Sequence, residues 1–489
     1  MPSLNRRSFL KQAAAWVGAG MVARLPSSAW SRPVGANAAI RVAVIGVNDK
    51  GKSLVLHLLD LPGVRIAAVC DVDPAILARQ IAVLRSRQVA ALATTDAREL
   101  LARDDIDALV IATDNHWHAL LTVWGCQSGK DVYVEKPVSH TVWEGRKMVE
   151  AAAKYRRIVQ SGLQRRSDIG LPGAVQYVRD GHMGKVLWTR ALCYARREGI
   201  GRKLPWYPEG MNYDLYCGPS PVVPLERDQL HFAWHMMWAT GNGELPGNAV
   251  HMLDIARRFS PIYDAPPRRV LSFGQRYVND AGQTPDCQAA VYDYPGAPMY
   301  YEARALPAKP GVRYLDQYRG LRTGTVVQCE GGYFAGLNGG AFYDNRGKRI
   351  RTFPGDDGGN HLANFFAAMR SRRPADLTAP IEVGHASTAI SHQANISYRV
   401  GAPADPAEIR SALEAFPLAG EFLEGLRGHL ATHHIDIARR RLTLGRWLEL
   451  DATGDGIRAV GADDPATLAR ARFLLKETQR PPYVIPEQV

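Results

Sequence analysis

The sequence predicts an α/β domain, a doubly wound parallel sheet, followed by an α+β domain built on a mainly antiparallel open sheet with helices. Three observations carry this. The apolar run Ile40-Arg41-Val42-Ala43-Val44-Ile45 stops at Gly46, as a first parallel strand entering a glycine turn would. From there to about Ala153, strand-like runs over 41–46, 64–70, 108–112 and 132–134 alternate with helix-like stretches, the pattern of a sheet covered on both faces. After a short strand at 158–162 the rhythm changes, and 186–194, 269–273, 289–294 and 325–329 read as longer strands, with helices at 251–259 and 360–370. Residues 205–225, rich in Pro, Gly and aromatics, read as a long ordered loop.

The 489 residues leave room for two cores. The expected division is a leader over 1–38, a first domain over 39–160, a second over 161–400, and an extension over 401–489 that packs back on the body. The leader rests on Asn5-Arg6-Arg7-Ser8-Phe9-Leu10-Lys11, an apolar stretch from Ala13 to Ala23 and the small triplet Ala36-Asn37-Ala38, the ordered series of a twin-arginine signal peptide. Its apolar part is too short to span a bilayer easily, so the mature chain is expected to be periplasmic or secreted, without stable membrane insertion. The formal charge of +12 includes Arg6, Arg7, Lys11, Arg24 and Arg32 of this leader; the rest is spread thinly, which argues against nucleic-acid binding. The six cysteines show neither metal nor disulfide spacing.

Gly46-Val47-Asn48-Asp49-Lys50-Gly51 keeps the first and third glycines of a phosphate-cradling turn, with Asp49 in place of the middle one. A carboxylate there repels phosphate unless it turns outward or Lys50 and Lys52 offset it. Asp71, closing the second strand, is the candidate acceptor for ribose hydroxyls and favours NAD over NADP; alternatively Asp71 or Asp73 caps the helix opened by Pro74. Thr113, Asn115, His116 and His118 follow the 108–112 strand at the carboxyl edge, where ligands of such sheets lie. Glu135-Lys136-Pro137 follows the apolar Val132-Tyr133-Val134 and puts a lysine at the end of a buried strand. These features, with Gly241 to Asp254 and Ser391-His392-Gln393-Ala394-Asn395-Ile396-Ser397-Tyr398-Arg399, make the chain resemble the Gfo/Idh/MocA family of glucose-fructose oxidoreductase and inositol dehydrogenase, in its secreted branch.

The resemblance implies tightly bound NAD contacted by Gly46, Asn48, Gly51, Asp71, Thr113, Asn115, His116, His118, Glu135 and Lys136. Lys136 is then the catalytic group that orients a reacting hydroxyl, and His251 the acid or base. That family usually carries an aspartate four residues before this histidine; here the position is Gly247, and Asn248 cannot act as a base. Asp254 either orients His251 or forms an ordinary helix ion pair. Trp206, Tyr213, Trp234 and Trp238 are candidate walls for a pyranose, with Gln164, Arg165, Asp214, His235 and Asn248 as hydrogen-bonding partners. His231 and His235, with His251, suggest zinc, but no partnering carboxylate or cysteine is evident and no metal is expected. Dimers or tetramers are expected by analogy.

Free NAD is not expected outside the cytoplasm, so an exported enzyme of this type has to keep and regenerate its cofactor in place. Two reactions meet that demand: hydride exchange between sugar hydroxyls, and NAD-dependent glycoside hydrolysis through transient oxidation and elimination. A non-catalytic sugar-binding scaffold is the third reading, kept open by Asp49 and Gly247.

Overall fold

A computed structural model describes residues 39–461 and 464–489; the leader predicted over 1–38 lies outside them. Strands β1 (Ile40–Ile45), β2 (Val64–Cys70), β3 (Leu92–Thr94), β4 (Ala108–Ile111), β5 (Asp131–Val134) and β6 (Val159–Ser161) form one sheet in the order β3-β2-β1-β4-β5-β6. Every pairing is parallel. The interior of β1 and all of β4 are buried, because helices cover both faces: Ala43, Ile45, Leu109 and Ile111 enter one core, Val42, Val44, Ala108 and Val110 the other. Local chemistry starts the helices where the sequence says. Asp73 caps Pro74–Ser86 by accepting from Ala75 and Ile76 N–H, and Thr141 with Glu144 forms a reciprocal capping box on Val142–Lys154.

The second sheet contains β7 (Val186–Tyr194), β8 (Arg269–Gln275), β9 (Cys287–Asp293), β10 (Met299–Arg304), β11 (Thr323–Cys329), β12 (Gly332–Leu337), β13 (Gly339–Tyr343), β14 (Arg349–Pro354), β15 (Ala402–Ala404), β16 (Leu442–Leu444), β17 (Leu448–Leu450) and β18 (Ile457–Val460). Its main path runs β14-β13-β12-β11-β7-β10-β9-β8-β16-β15, with β17 on β8 and β18 on β17. Only β7 and β10 pair in parallel; the rest of the sheet is antiparallel. The two-residue period decides what each face meets. Ala191, Cys193, Tyr301 and Ala303 join Leu253 of helix Val250–Phe259 and Ala394 of helix Ile381–Arg399 in a core on the first-domain side. Tyr300, Leu271 and Phe273 face the other way, onto Phe422, Leu423 and Leu426 of helix Pro417–Thr432, each worth about 2 kcal/mol when fully buried.

The extension thus supplies the four strands β15 to β18 at one edge of the sheet and a covering helix. Its last segment crosses both domains: Arg480 Nη1 donates to Asp214 Oδ1 of the second at 2.6 Å, and the Tyr483 ring packs edge-on to Trp117 of the first. Among the described residues no helix is long and apolar enough to cross a membrane, and all six cysteines are buried and free.

Candidate active site

A cleft of 660 Å³ lies at the carboxyl edge of the parallel sheet, against helix Val250–Phe259 and the segment before it. Its floor is the turn after β1. Gly46 has φ +77°, and a Cβ there would meet the Ala112 and Thr113 backbone at 2.7 Å; one on Gly51 would meet Gly46 O at 1.8 Å. The two retained glycines let helix Asp49–Leu59 start hard against the strand. Gly51 serves that packing and does not line the cleft, whereas Gly46 and Asn48 do. Asp49 takes a positive φ of 35° with its side chain exposed, so the carboxylate in the middle-glycine position is solvated.

Asp71 Oδ2 accepts from Val47 N–H at 2.9 Å and Oδ1 from Asp73 N–H at 3.0 Å, tying the turn to the end of β2. Burial raises its pKa, against the pull of those two N–H groups. The helix cap falls to Asp73 instead, whose second oxygen takes His231 Nε2 at 2.8 Å. His231 is thus engaged by Asp73 at the cleft wall, and His235 sits on the short 3₁₀ turn Ala233–Met236.

Thr113, Asn115 and His118 line the cleft. Asn115 is fixed by Gly241 O, and His118 lies between Pro137 O at 2.7 Å and Thr113 O at 2.9 Å. His116 does not reach the cleft: it is buried the other way, with Nε2 3.0 Å from Tyr216 O. Tyr213 and Asp214 are outside it too. Tyr213 Oη donates to Val223 O at 2.7 Å, and Asp214 is held by Arg480 and Tyr483 of the tail. Trp206 and Trp238 are likewise absent from the lining; Trp206 donates to Arg227 O, and Trp238 packs under Arg399.

Lys136, Glu135, His251, Asn248, Gln164, Arg165, Trp234 and His235 do meet in the cleft. Glu135 is buried under Gly162, where a Cβ would strike its carboxyl at 2.8 Å, and receives Tyr133 Oη at 3.3 Å with Lys50 Nζ at 3.5 Å. Lys136 Nζ donates to Gly247 O at 2.6 Å. Burial lowers the Lys136 pKa, opposed by Glu135. Where the family pattern has an aspartate side chain, this chain offers a backbone carbonyl and space: a Cβ on Gly247 would meet only His235 Cδ2 at 3.9 Å.

His251 is nine-tenths buried with Nδ1 unpartnered; burial first, then Lys136, pushes its pKa well down, so it is a neutral imidazole. Asp254 does not orient it. That carboxylate is spent on Arg166 Nε at 2.8 Å and Ser387 Oγ at 2.7 Å. His235 Nδ1 lies 2.7 Å from Phe232 O and so carries the proton, leaving the Nε2 lone pair free; burial holds its pKa down to about 4. Its ring stacks on Trp234, centroids 3.6 Å apart. Arg165 is engaged by Asn338 and Asp357, while Gln164 Oε1 has no partner.

Sequence reasoning missed Glu244 and Arg197. They form an ion pair in the cleft between half-buried Arg197 and buried Glu244, Arg197 Nη2 to Glu244 Oε2 at 3.0 Å, and Asn248 Nδ2 donates to the same oxygen at 2.8 Å. Burial raises the Glu244 carboxyl and Arg197 lowers it, with a net fall, so it stays charged. Asp114, also in the cleft, has no such cation and burial pushes it up to about 7. Glu244 stands three residues before Gly247, the sole sequence signal for it; nothing pointed to Arg197. Among the described residues no group of three or more His, Cys, Asp or Glu is placed to hold a metal ion.

Residues 40–163 match the oxidoreductase family described as having an NAD-binding Rossmann fold. This match, to the Gfo/Idh/MocA family model, covers the first domain alone and marks it as similar to that family's NAD-binding domain. Curated relatives include proteins named "Glycosyl hydrolase family 109 protein" from Shewanella pealeana, 34% identical over 173 residues, and "Glycosyl hydrolase family 109 protein 1" from Shewanella sp. strain ANA-3, 35% identical over 178 residues. Each match covers 32% of this chain and 38% and 39% of the relative respectively, so the chain spans well under half the length of the curated relatives it matches. In fold, it resembles the WlbA dehydrogenase of Bordetella pertussis, solved with NADH and UDP-GlcNAcA. That match has a TM-score of 0.55 at 17% identity and covers 74% of this chain and 97% of that one. It also resembles the aldose-aldose oxidoreductase of Caulobacter crescentus, solved with glycerol, with TM-score 0.54 at 15% identity over 73% and 97% of the two chains. The likeness to both is one of fold.

Proposed function

We propose that this chain is an oxidoreductase acting on a hydroxyl of a sugar or glycoside, with NAD retained in the cleft. The observation that carries the reading is that Lys136 and His251 meet in the same cavity as the Gly46 turn. The residues fit a dinucleotide: a tight glycine turn opens a helix N-terminus, and buried polar atoms such as His251 Nδ1 have no protein partner. When bound, a nicotinamide supplies the redox chemistry. Lys136 Nζ holds the reacting hydroxyl, and His251 Nδ1, neutral and unpartnered, accepts its proton. Trp234 with His235 offers a stacked face for a pyranose, and Gln164 Oε1 an acceptor for a hydroxyl. The Asp71 carboxylate would repel a 2′-phosphate, which favours NAD over NADP. The leader motif over 1–38 supports export with the cofactor already bound.

The curated relatives favour a second reading, redox-assisted glycoside cleavage. Oxidising a hydroxyl to a ketone acidifies the neighbouring C–H. His235 Nε2, with its lone pair free, takes that proton while the glycosidic oxygen leaves; water then adds and the ketone is reduced again. To separate the readings, the purified protein is denatured, any released dinucleotide identified, and aryl glycosides assayed without added cofactor. Released NAD with aglycone formation supports cleavage; NAD reduced by a free sugar without cleavage supports simple oxidation. Finding no dinucleotide, and no binding of added NAD, would leave only a non-catalytic scaffold.

A further inference from the structure

We infer that the chain carries a second binding site, for a small oxyanion, between the outer face of the large sheet and helix Pro417–Thr432. A separate cavity of 460 Å³ lies there. The strand alternation that sends Cys193 toward Glu244 in the catalytic cleft sends Arg190 and Tyr194 into this second space, beside Glu302 and Arg304 of β10.

Counting donors against acceptors identifies the ligand class. Glu302 Oε2 accepts from Tyr194 Oη at 2.8 Å and from Arg190; Oε1 accepts from Arg304 Nε at 2.7 Å. Asp316 Oδ2 accepts from Arg304 Nη1 at 2.6 Å and lies 2.8 Å from His429 Nδ1. The oxygens facing the cluster are therefore engaged within it. The donors are not exhausted: Arg190 Nε and His429 Nε2, both on buried side chains, have no partner. A guanidinium presents five N–H groups, so two arginines and an imidazole outnumber what two carboxylates can accept. The charges of the two arginines are already balanced by Glu302 and Asp316, so what an occupant has to bring is acceptors, as the oxygens of a carboxylate or phosphate do.

The cluster is also held ready. Arg190 is sandwiched between the Tyr318 and Phe422 rings, 3.8 and 3.9 Å from their centroids, which fixes its plane. On the helix side the lining includes Gly425 and Gly428, and a Cβ on Gly428 would meet nothing within 4 Å. Glycine at these positions keeps the cavity open, against its low propensity for a helix interior. Glu421 at the rim is exposed and solvated.

The test is titration calorimetry of the full chain with inorganic phosphate and, separately, with succinate, the two arms distinguishing phosphate from carboxylate. Each is repeated on Gly428→Trp, which fills the cavity, on His429→Phe, which removes a free donor, and on Lys50→Ala in the catalytic cleft. The expected result is binding of one probe that weakens about tenfold or more in Gly428→Trp and His429→Phe and is unchanged in Lys50→Ala. Circular dichroism identifies any variant that fails to fold, and the other then decides. No binding of either probe to the wild-type chain, or binding lost only in Lys50→Ala, overturns the proposal; the latter places the anion at the catalytic cleft.

Discussion

Replacing Gly247 by aspartate restores a carboxylate where the family pattern has one, and the structure sets what that does to Lys136. The added side chain enters open space, with only His235 Cδ2 near its Cβ, while the Gly247 carbonyl keeps its 2.6 Å bond to Lys136 Nζ. An aspartate carboxyl reaching within about 5 Å of the ammonium interacts by about 3 kcal/mol at an effective permittivity near 20. That is about two pKa units in the direction of the charged amine, reversing the fall that burial imposes on the wild-type lysine. The assay needs no substrate: competitive acetylation across a pH series, read by mass spectrometry of the Lys136 peptide, reports the fraction of free amine. Wild-type Lys136 should become reactive at a lower pH than ordinary lysines, and Gly247→Asp should move its midpoint up by about two units. An unmoved midpoint in a folded variant would refute the claim that the vacant Gly247 side-chain position governs the charge of this lysine.

Lys136→Ala is expected to lower turnover by at least about a hundredfold while dinucleotide release on denaturation is unchanged, a split that a purely structural lysine would not give. Glu244→Gln leaves half-buried Arg197 in the cleft without its counter-ion, and urea denaturation should show a loss of about 1–2 kcal/mol, less than a fully buried pair would give. Stability should also fall with acid. Burial holds His116 and His392 down to about 3, and His140, His235 and His361 to about 4, against an ordinary 6.5. Between pH 6.5 and 4 the unfolded chain binds these protons and the folded chain does not, so stability present above 6.5 is lost as pH falls. Asp114 and Glu144, raised to about 7, act in the opposite sense below pH 7 because the folded chain takes their protons first, but five imidazoles outnumber two carboxyls. A urea midpoint that stays level from pH 7 to pH 4 would contradict this balance.

The parts of the fold legible in the sequence were those written in contiguous residues. β2 and β7 are mostly apolar runs bounded by turns, and their observed limits, Val64–Cys70 and Val186–Tyr194, coincide with the expected ones. β3 is three residues of weak pattern, two of them exposed, and left no signal. The same contrast divides the cleft. Lys136, Asp71 and the Gly46 turn sit at strand ends, positions that chain order alone identifies. Arg197 and Glu244 are 47 residues apart and become partners only when β7 and the segment before helix Val250–Phe259 are brought together. Tyr213 and Asp214 were misplaced for the converse reason: an aromatic-rich loop suggested a sugar wall, but Arg480, 266 residues later, turns Asp214 toward the tail.

The main path of the large sheet has two terminal strands, both poor templates for another chain, and in β18, the end of its side branch, the Ile457 and Arg458 carbonyls are taken by Arg472. β14 offers Arg349 and Arg351 on an exposed strand that finishes in Pro354; β15 is three residues long with Pro403 at its centre, where an amide donor would otherwise stand. Charge at one border and a missing N–H at the other oppose growth by strand addition. A surface of this width would otherwise invite end-to-end polymerisation; here, copies that associate are steered to meet across faces, through side chains, and not along a shared backbone ladder.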